Sequence, residues 1–219
     1  VSAQVIAVNV GRPEGGPWTG RVGRTAIRKH PQAGPVGVRR TGLDGDSVCD
    51  LTFHGGPDRA VYAFAREDLD HWQSVLDRPL RDGLFGENLT TSGLEVTEAR
   101  LGERWRVGTA LVEVASVRTA CRVFTSWLGR HGLEEGGWVR RFTEHGHPGA
   151  YLRVLEEGVV ERGDAVEVVH RPAHDVTVGL AFRAVTTERA LLPRLLEVDG
   201  LAEHLREKAE AYAASAARR

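Results

Sequence analysis

The sequence predicts a mainly β fold, a barrel or sandwich interrupted by a few helices and followed by a small helical region. Three observations carry this expectation. Short alternating or apolar runs recur from Val1 to about His170, glycines punctuate them, and after "HRPAHD" glycine nearly vanishes while Leu, Ala, Glu and Arg take over. That change of character places a boundary near residue 172, with a β domain over 1–172 and a three-helix region over 173–219. A chain of 219 residues buries a sizeable core in one domain. The tail is too short to bury much by itself, so it is expected to pack on the β domain or on a partner. No internal repeat or low-complexity segment is present.

The 29 basic and 30 acidic side chains nearly cancel, so nothing global argues for a nucleic-acid polymer or a membrane as partner. No apolar run approaches the roughly 18 residues that span a bilayer. The first residues, "VSAQVIAVNVG", show neither a basic head nor a small-residue cleavage site, and the expectation is a cytoplasmic protein. Two cysteines, Cys49 and Cys121, are too few for a disulfide scaffold or a four-thiolate iron–sulfur cluster. Only Lys29 and Lys208 are lysines, against 27 arginines.

Taken in order, "AQVIAVNVG" reads as the first strand. "GRTAIRKHPQAGPV" then sets Lys29 between Arg28 and His30, a cluster suited either to a phosphate or to a solvated face. Cys49, in "GDSVCDLTF", lies between aspartates that disfavour a thiolate, which points to a structural role. In "DLTFHGGPDRAV" the adjacent glycines allow close approach of backbone to a ligand, with His54 and Arg59 beside them. A plain tight turn with Asp58 and Arg59 in solvent is the alternative. "AVYAFA" follows as the strand that fixes this turn. "REDLDHWQSVL" places Leu69, Trp72 and Leu76 on one helical face, with acids near the positive end of the dipole. "FGENLTTSG" offers Asn88 and hydroxyls that suit an oxyanion or a polar heterocycle, or an Asx-type turn.

"WRVGTALVEVASV" reads as strand, and directly after it Cys121 stands in "VRTACRVF" between Arg118 and Arg122. Neighbouring guanidinium charges favour the nucleophilic, metal-binding thiolate, although a buried cysteine acting as a small hydrophobe fits the same residues. "RVFTSWLGRHG" suggests a second helix ending at a glycine. His145 and His147 in "TEHGHPG" would share one side of a strand as metal ligands do, yet no third ligand lies nearby in sequence. "AYLRVL" and "GDAVEVVH" complete the strands. In the tail, helices are expected over Val176–Val185, Glu188–Val198 and Leu201–Ala217, the last carrying Leu201, Leu205 and Tyr212 as its apolar stripe. Walker, Rossmann and Gly-x-Ser-x-Gly motifs are absent.

"TAIRKHPQAGPV", "GLDGDSVCDLTFHGGPDRAVYAF", "FGENLTTSGL", "LGERWRVGTALVEVASVRTAC" and "GAYLRVLEEGVVERGD", in that order, resemble MOSC domains, the module named after the C-terminal part of molybdenum cofactor sulfurase. The helical tail points to the YiiM-type branch. The resemblance implies a β-barrel domain whose pocket binds the molybdenum cofactor, a pterin dithiolene with a phosphate. It implies that Cys121 coordinates molybdenum and that Lys29, His54, Arg59, Asn88 and Arg118 line the pocket. It further implies reduction of N-hydroxylated compounds such as hydroxylaminopurines and amidoximes. One departure stands out, because Ala120 replaces a proline that would stiffen the approach to the thiolate.

Such an enzyme would use Cys121 and His54 as catalytic residues, His54 delivering a proton because imidazole titrates near neutrality. With no flavin site in the chain, electrons would come from a separate flavoprotein or iron–sulfur protein. Pyridoxal phosphate is not expected, and a homodimer is compatible with the sequence. Two other classes remain open at this point. One is a sulfur carrier bearing a persulfide on Cys121, and the other is a non-catalytic protein that binds or escorts the cofactor.

Overall fold

Ala110–Val117 is the spine of the molecule, and every residue in it except Leu111 is buried. A strand so apolar on both faces belongs in the middle of a sheet covered on both sides. The computed structural model, which describes residues 2–51, 55–133 and 136–218, places it there. In chain order the strands are β1 (Gln4–Val10), β2 (Glu14–Gly15), β3 (Arg24–Thr25), β4 (His30–Pro31), β5 (Val36–Arg39), β6 (Gly42–Leu43) and β7 (Val61–Ala65). They continue as β8 (Leu89–Ser92), β9 (Arg104–Val107), β10 (Ala110–Val117), β11 (Ala150–Glu156), β12 (Gly158–Val160) and β13 (Val166–His170). The helices are α1 (Arg66–Leu76), α2 (Arg122–Arg130), α3 (Trp138–His145), α4 (Val178–Thr186) and α5 (Glu203–Ala216).

The largest sheet runs β13-β9-β10-β11-β7-β8-β1-β4, antiparallel except where β7 meets β8. A three-stranded sheet, β12-β5-β6, and a two-stranded one, β2-β3, complete the strand structure among the described residues. The expected mainly β barrel is therefore corrected to a mixed α/β fold with open sheets. The eight-stranded sheet ends in β13 and β4, and β1 meets the segment ahead of β13 at an isolated bridge, Gln4–Ala165, rather than along a ladder. Helical segments occupy about as much chain as strands do. Alternation and glycine punctuation report where strands lie, whereas closure depends on tilt and long-range register that no local pattern encodes.

Most predicted runs are strands where expected. The "WRVG" and "TALVEVASV" halves form a hairpin, β9–β10, turned at Gly108 with φ of 55°. α1 covers the whole predicted helix and buries Leu69 and Trp72. Its Trp72 joins Phe85, Phe124, Trp138 and Phe142 in an aromatic core, with Phe85 5.3 Å from both Phe64 and Phe124.

The C-terminal region packs on this core. Thr177 caps α4 by accepting the Leu180 amide at 3.1 Å. Val178 donates its amide to Ala99 O (2.9 Å), and Leu101 donates to Val176 O (3.0 Å). Phe182 packs edge-on against Phe142 at 6.1 Å. The second predicted tail helix is a 3-10 helix, Arg189–Glu197, with Pro193 inside it. Proline has no N–H to give and its ring crowds the preceding turn, so the α form is disfavoured there. No helix among the described residues is long and apolar enough to cross a membrane.

Candidate functional site

A cleft whose empty space, open solvent included, is about 800 Å³ lies where the loops ahead of β4, β7 and β8 meet Arg118 and Cys121 beyond β10. Its lining includes Lys29, Arg59, Asn88, Arg118 and Cys121, so the structure brings five of the six sequence-predicted residues to one place. The sixth, His54, lies outside the described residues. Cys49 also faces the cleft.

The centre of the site is Asp46, which sequence reasoning passed over. Its carboxylate accepts from Lys29 Nζ at 2.5 and 2.6 Å, from the Gly11 amide at 2.7 Å and from Asn88 Nδ2 at 2.9 Å. Burial holds the Lys29 pKa below the ordinary lysine value, and the Asp46 charge works against that shift. Asn88 also donates to Asn9 O (3.2 Å) and accepts the Tyr62 amide (3.1 Å). Its side chain thus stitches β1, β7 and the start of β8 together. Gly86, with φ of 81°, lets this loop pass Ile27, because a Cβ there would stand 2.9 Å from that side chain.

Arg118 is buried just beyond β10. It donates to Phe85 O, and its guanidinium lies 4.7 Å from the Tyr62 ring centre and 4.8 Å from that of Phe124. A carbonyl and two ring faces hold its position. Tyr62 and Tyr151, both on the cleft wall with centres 5.2 Å apart, have phenol pKa values pushed up by burial. They sit inside strand runs that read simply as apolar, which is why the sequence did not single them out. Arg59 ends a short 3-10 helix, Pro57–Arg59, whose entry at Gly56 has φ of 99°. The alternative of Asp58 as a solvated turn residue fails, since Asp58 accepts from Arg153 at 2.7 Å. Among the described lining residues, Arg24, Lys29, Arg59 and Arg118 oppose Asp46 and Asp50, an excess of two positive charges.

Cys121 is the half-buried N-cap residue of α2 and packs against the apolar core. Among the described residues, the group of three side chains near enough to share a metal ion is Asp68, His145 and His147, and none of these lines the cleft. The sequence lacked a third ligand beside the two histidines because it arrives from α1. His147 Nδ1 is 2.8 Å and His145 Nε2 3.9 Å from Asp68 Oδ1. Burial pushes the Asp68 carboxyl up to about 6, opposed by His147. Burial, with His147 and His71 adding to it, brings His145 down to about 4.

These positions correct the expectation of a cysteine-centred molybdenum reductase. The donor set able to take up a metal ion is the Asp/His/His group rather than one built around Cys121. Lys29, one of the cations expected around the thiol, is ion-paired with Asp46.

Comparison with known proteins places this geometry in context. Residues 50–167 match the model of the MOSC domain. The chain is 35% identical to the uncharacterized protein YflK of Bacillus subtilis over 82% of this chain and 79% of that one. It is 30% identical to protein YiiM of Escherichia coli over 76% of this chain and 70% of the relative. The crystal structure of YiiM from Geobacillus stearothermophilus superposes with a TM-score of 0.78 at 29% identity, covering 96% of this chain and 98% of that one. The superposition takes in most of the C-terminal helical extension.

Proposed function

The chain belongs to the MOSC domain family, and from that premise we propose that it is a non-catalytic binding protein for the molybdenum cofactor. One observation carries the reading. The described lining of the cleft carries a formal excess of two positive charges beside aromatic walls, with Arg118 buried in it. Such a site suits an anionic heterocycle, because cations held in a partly desolvated cleft attract a phosphate more strongly than they would in water.

The residues present fit the group. Arg24, Arg59 and Arg118 supply charge for its phosphate, Tyr62 and Tyr151 give the apolar wall a flat ring needs, and Thr25 and Ser47 add hydroxyls. Lys29 holds Asp46 in place and so shapes the floor rather than meeting the anion. Cys121 contributes to the wall. When bound, the cofactor brings a pterin dithiolene and a metal competent in electron exchange. The chain binds it, shields it from bulk water and keeps it for transfer.

Protein purified from a host that makes the cofactor tests this. Mass spectrometry is expected to find close to one pterin per chain, and Arg118→Gln to lose most of it while keeping the native circular dichroism. The loaded protein is expected not to reduce hydroxylaminopurine with a chemical reductant. Pterin-free protein from a competent host would overturn the binding role, and turnover would overturn its non-catalytic character.

A further inference from the structure

We propose that Asp68, His145 and His147 form a site for a first-row divalent cation, best matched by zinc, that clasps α1 to the end of α3. Nothing in this inference depends on what occupies the cleft, since none of the three residues lines it.

Geometry carries the proposal. One oxygen and two ring nitrogens, all within 4.8 Å of one another, converge from two elements that are distant in sequence. Zinc binds nitrogen and carboxylate oxygen at about 2.0–2.2 Å, so tetrahedral ligand atoms stand roughly 3.3–3.6 Å apart. The observed separations from Asp68 Oδ1, 2.8 Å to His147 and 3.9 Å to His145, bracket that value. Seating the ion would move the Asp68 and His147 ends apart by about 0.5–0.8 Å and draw His145 in by about 0.3–0.6 Å.

A second observation points the same way. His145 Nε2 is buried and makes no hydrogen bond among the described residues. A ring nitrogen taken from water without a partner is costly, and a metal ion shared with Asp68 and His147 would satisfy it. The ring is also fixed for the purpose. His71 stacks on His145 with centres 4.2 Å apart and planes 8° off parallel, and Trp72 packs edge-on at 5.0 Å. The side chains of Asp68 and His145 are 11% and 13% exposed and that of His147 is 40% exposed, so the site is closed on one side and open at His147. Entry and a water ligand are both available from there.

Donor chemistry selects the metal. Two imidazoles and one carboxylate suit zinc and its first-row neighbours, whereas calcium and magnesium prefer all-oxygen shells. Gly146, with φ of 78°, turns the chain between the histidines and brings their rings to 4.6 Å. The metal would therefore fasten the last turn of α3 to the first turn of α1.

The test uses the full chain, stripped with a chelator, dialysed and titrated with zinc chloride and, separately, cobalt chloride. One equivalent of zinc is expected to bind, raising the melting temperature, and cobalt to give visible absorption of a low-coordinate nitrogen–oxygen site. His145→Ala and Asp68→Asn are each expected to weaken binding by more than the about 10- to 100-fold that loss of a supporting partner costs. His71→Gln, which removes a stacking ring but no ligand, is expected to keep one equivalent. Circular dichroism of each variant establishes folding. If His145→Ala does not fold, His147→Gln supplies the comparison, since its partly exposed ring is not a core group. Absence of saturable zinc binding to the wild-type chain would overturn the proposal, as would unchanged binding in folded ligand variants or equal affinity for magnesium.

Discussion

Glu87 is fully buried. Its Oε1 accepts from the Gly83 amide and from Thr90 Oγ1 at 3.0 Å, while Oε2 has no hydrogen-bond partner among the described residues. Burial pushes its carboxyl from 4.5 to about 7. The folded chain therefore holds a proton on Glu87 that the unfolded chain releases, and the contribution of this group to stability falls as pH rises from about 4.5 to about 7, while the lowered His145 and His204 work in the opposite direction. The drop is on the order of 2–3 kcal/mol. The stability of wild type relative to Glu87→Gln is expected to decline across this window; a difference that does not change with pH would assign the effect elsewhere. Lys29 and Asp46 make a different prediction. Removing the cation in Lys29→Met leaves a buried carboxylate uncompensated, at a cost of about 3–5 kcal/mol in urea denaturation. Adding Asp46→Asn, which removes the stranded charge but keeps an acceptor for the Gly11 amide, is expected to recover part of that loss. A cost for Lys29→Met no larger than that of a surface pair, about 1 kcal/mol or less, would contradict the burial argument.

α3 shows where reading the sequence stops. Eight residues after two glycines, with Trp138 and Phe142 four apart, are too few to display a helical period. The two histidines consequently looked like neighbours on a strand, and Asp68 looked like an N-terminal helix acid with no further use. α1, α2 and the main strands were legible because their apolar patterns repeat over enough residues to be counted. The cleft cations were legible for another reason, that their motifs carry glycines and charges which a plain strand or linker would not. Asp46, Tyr62 and Tyr151 were hidden because their roles come from partners far along the chain. Gly146 gives the testable consequence at this scale. Apart from its chain neighbours, no atom of the described residues lies within 4 Å of where its Cβ would be, so Gly146→Ala meets no clash among them. Its φ of 78° nonetheless disfavours a side chain, and a loss of about 1–2 kcal/mol is expected by urea denaturation. A neutral result would mean that the backbone there relaxes freely.

Across the whole molecule, the helical extension behaves as part of the core. Val176, Val178, Ala181 and Phe182 are almost fully buried, and backbone hydrogen bonds tie the segment to Ala99 and Leu101. His204 on α5 reaches Ser116 on the central strand at 2.9 Å. A chain ended at residue 172 would expose the surface these groups cover and is expected to aggregate, as gel filtration would reveal; a monodisperse product would show that the strands stand without the tail. The barrel expectation failed at this scale because pairing between distant strands is a property of the assembled sheet, not of any run within it.

Asp46 gathers the Gly11 amide, the Lys29 ammonium and the Asn88 amide from stretches 35, 17 and 42 residues away from it. The floor of the cleft is therefore assembled from contacts between separate parts of the chain. It should appear late, when a nascent polypeptide has already brought its remote parts together. Deuterium uptake at the Gly11 nitrogen would then track complete opening of the molecule rather than breathing of a surface loop.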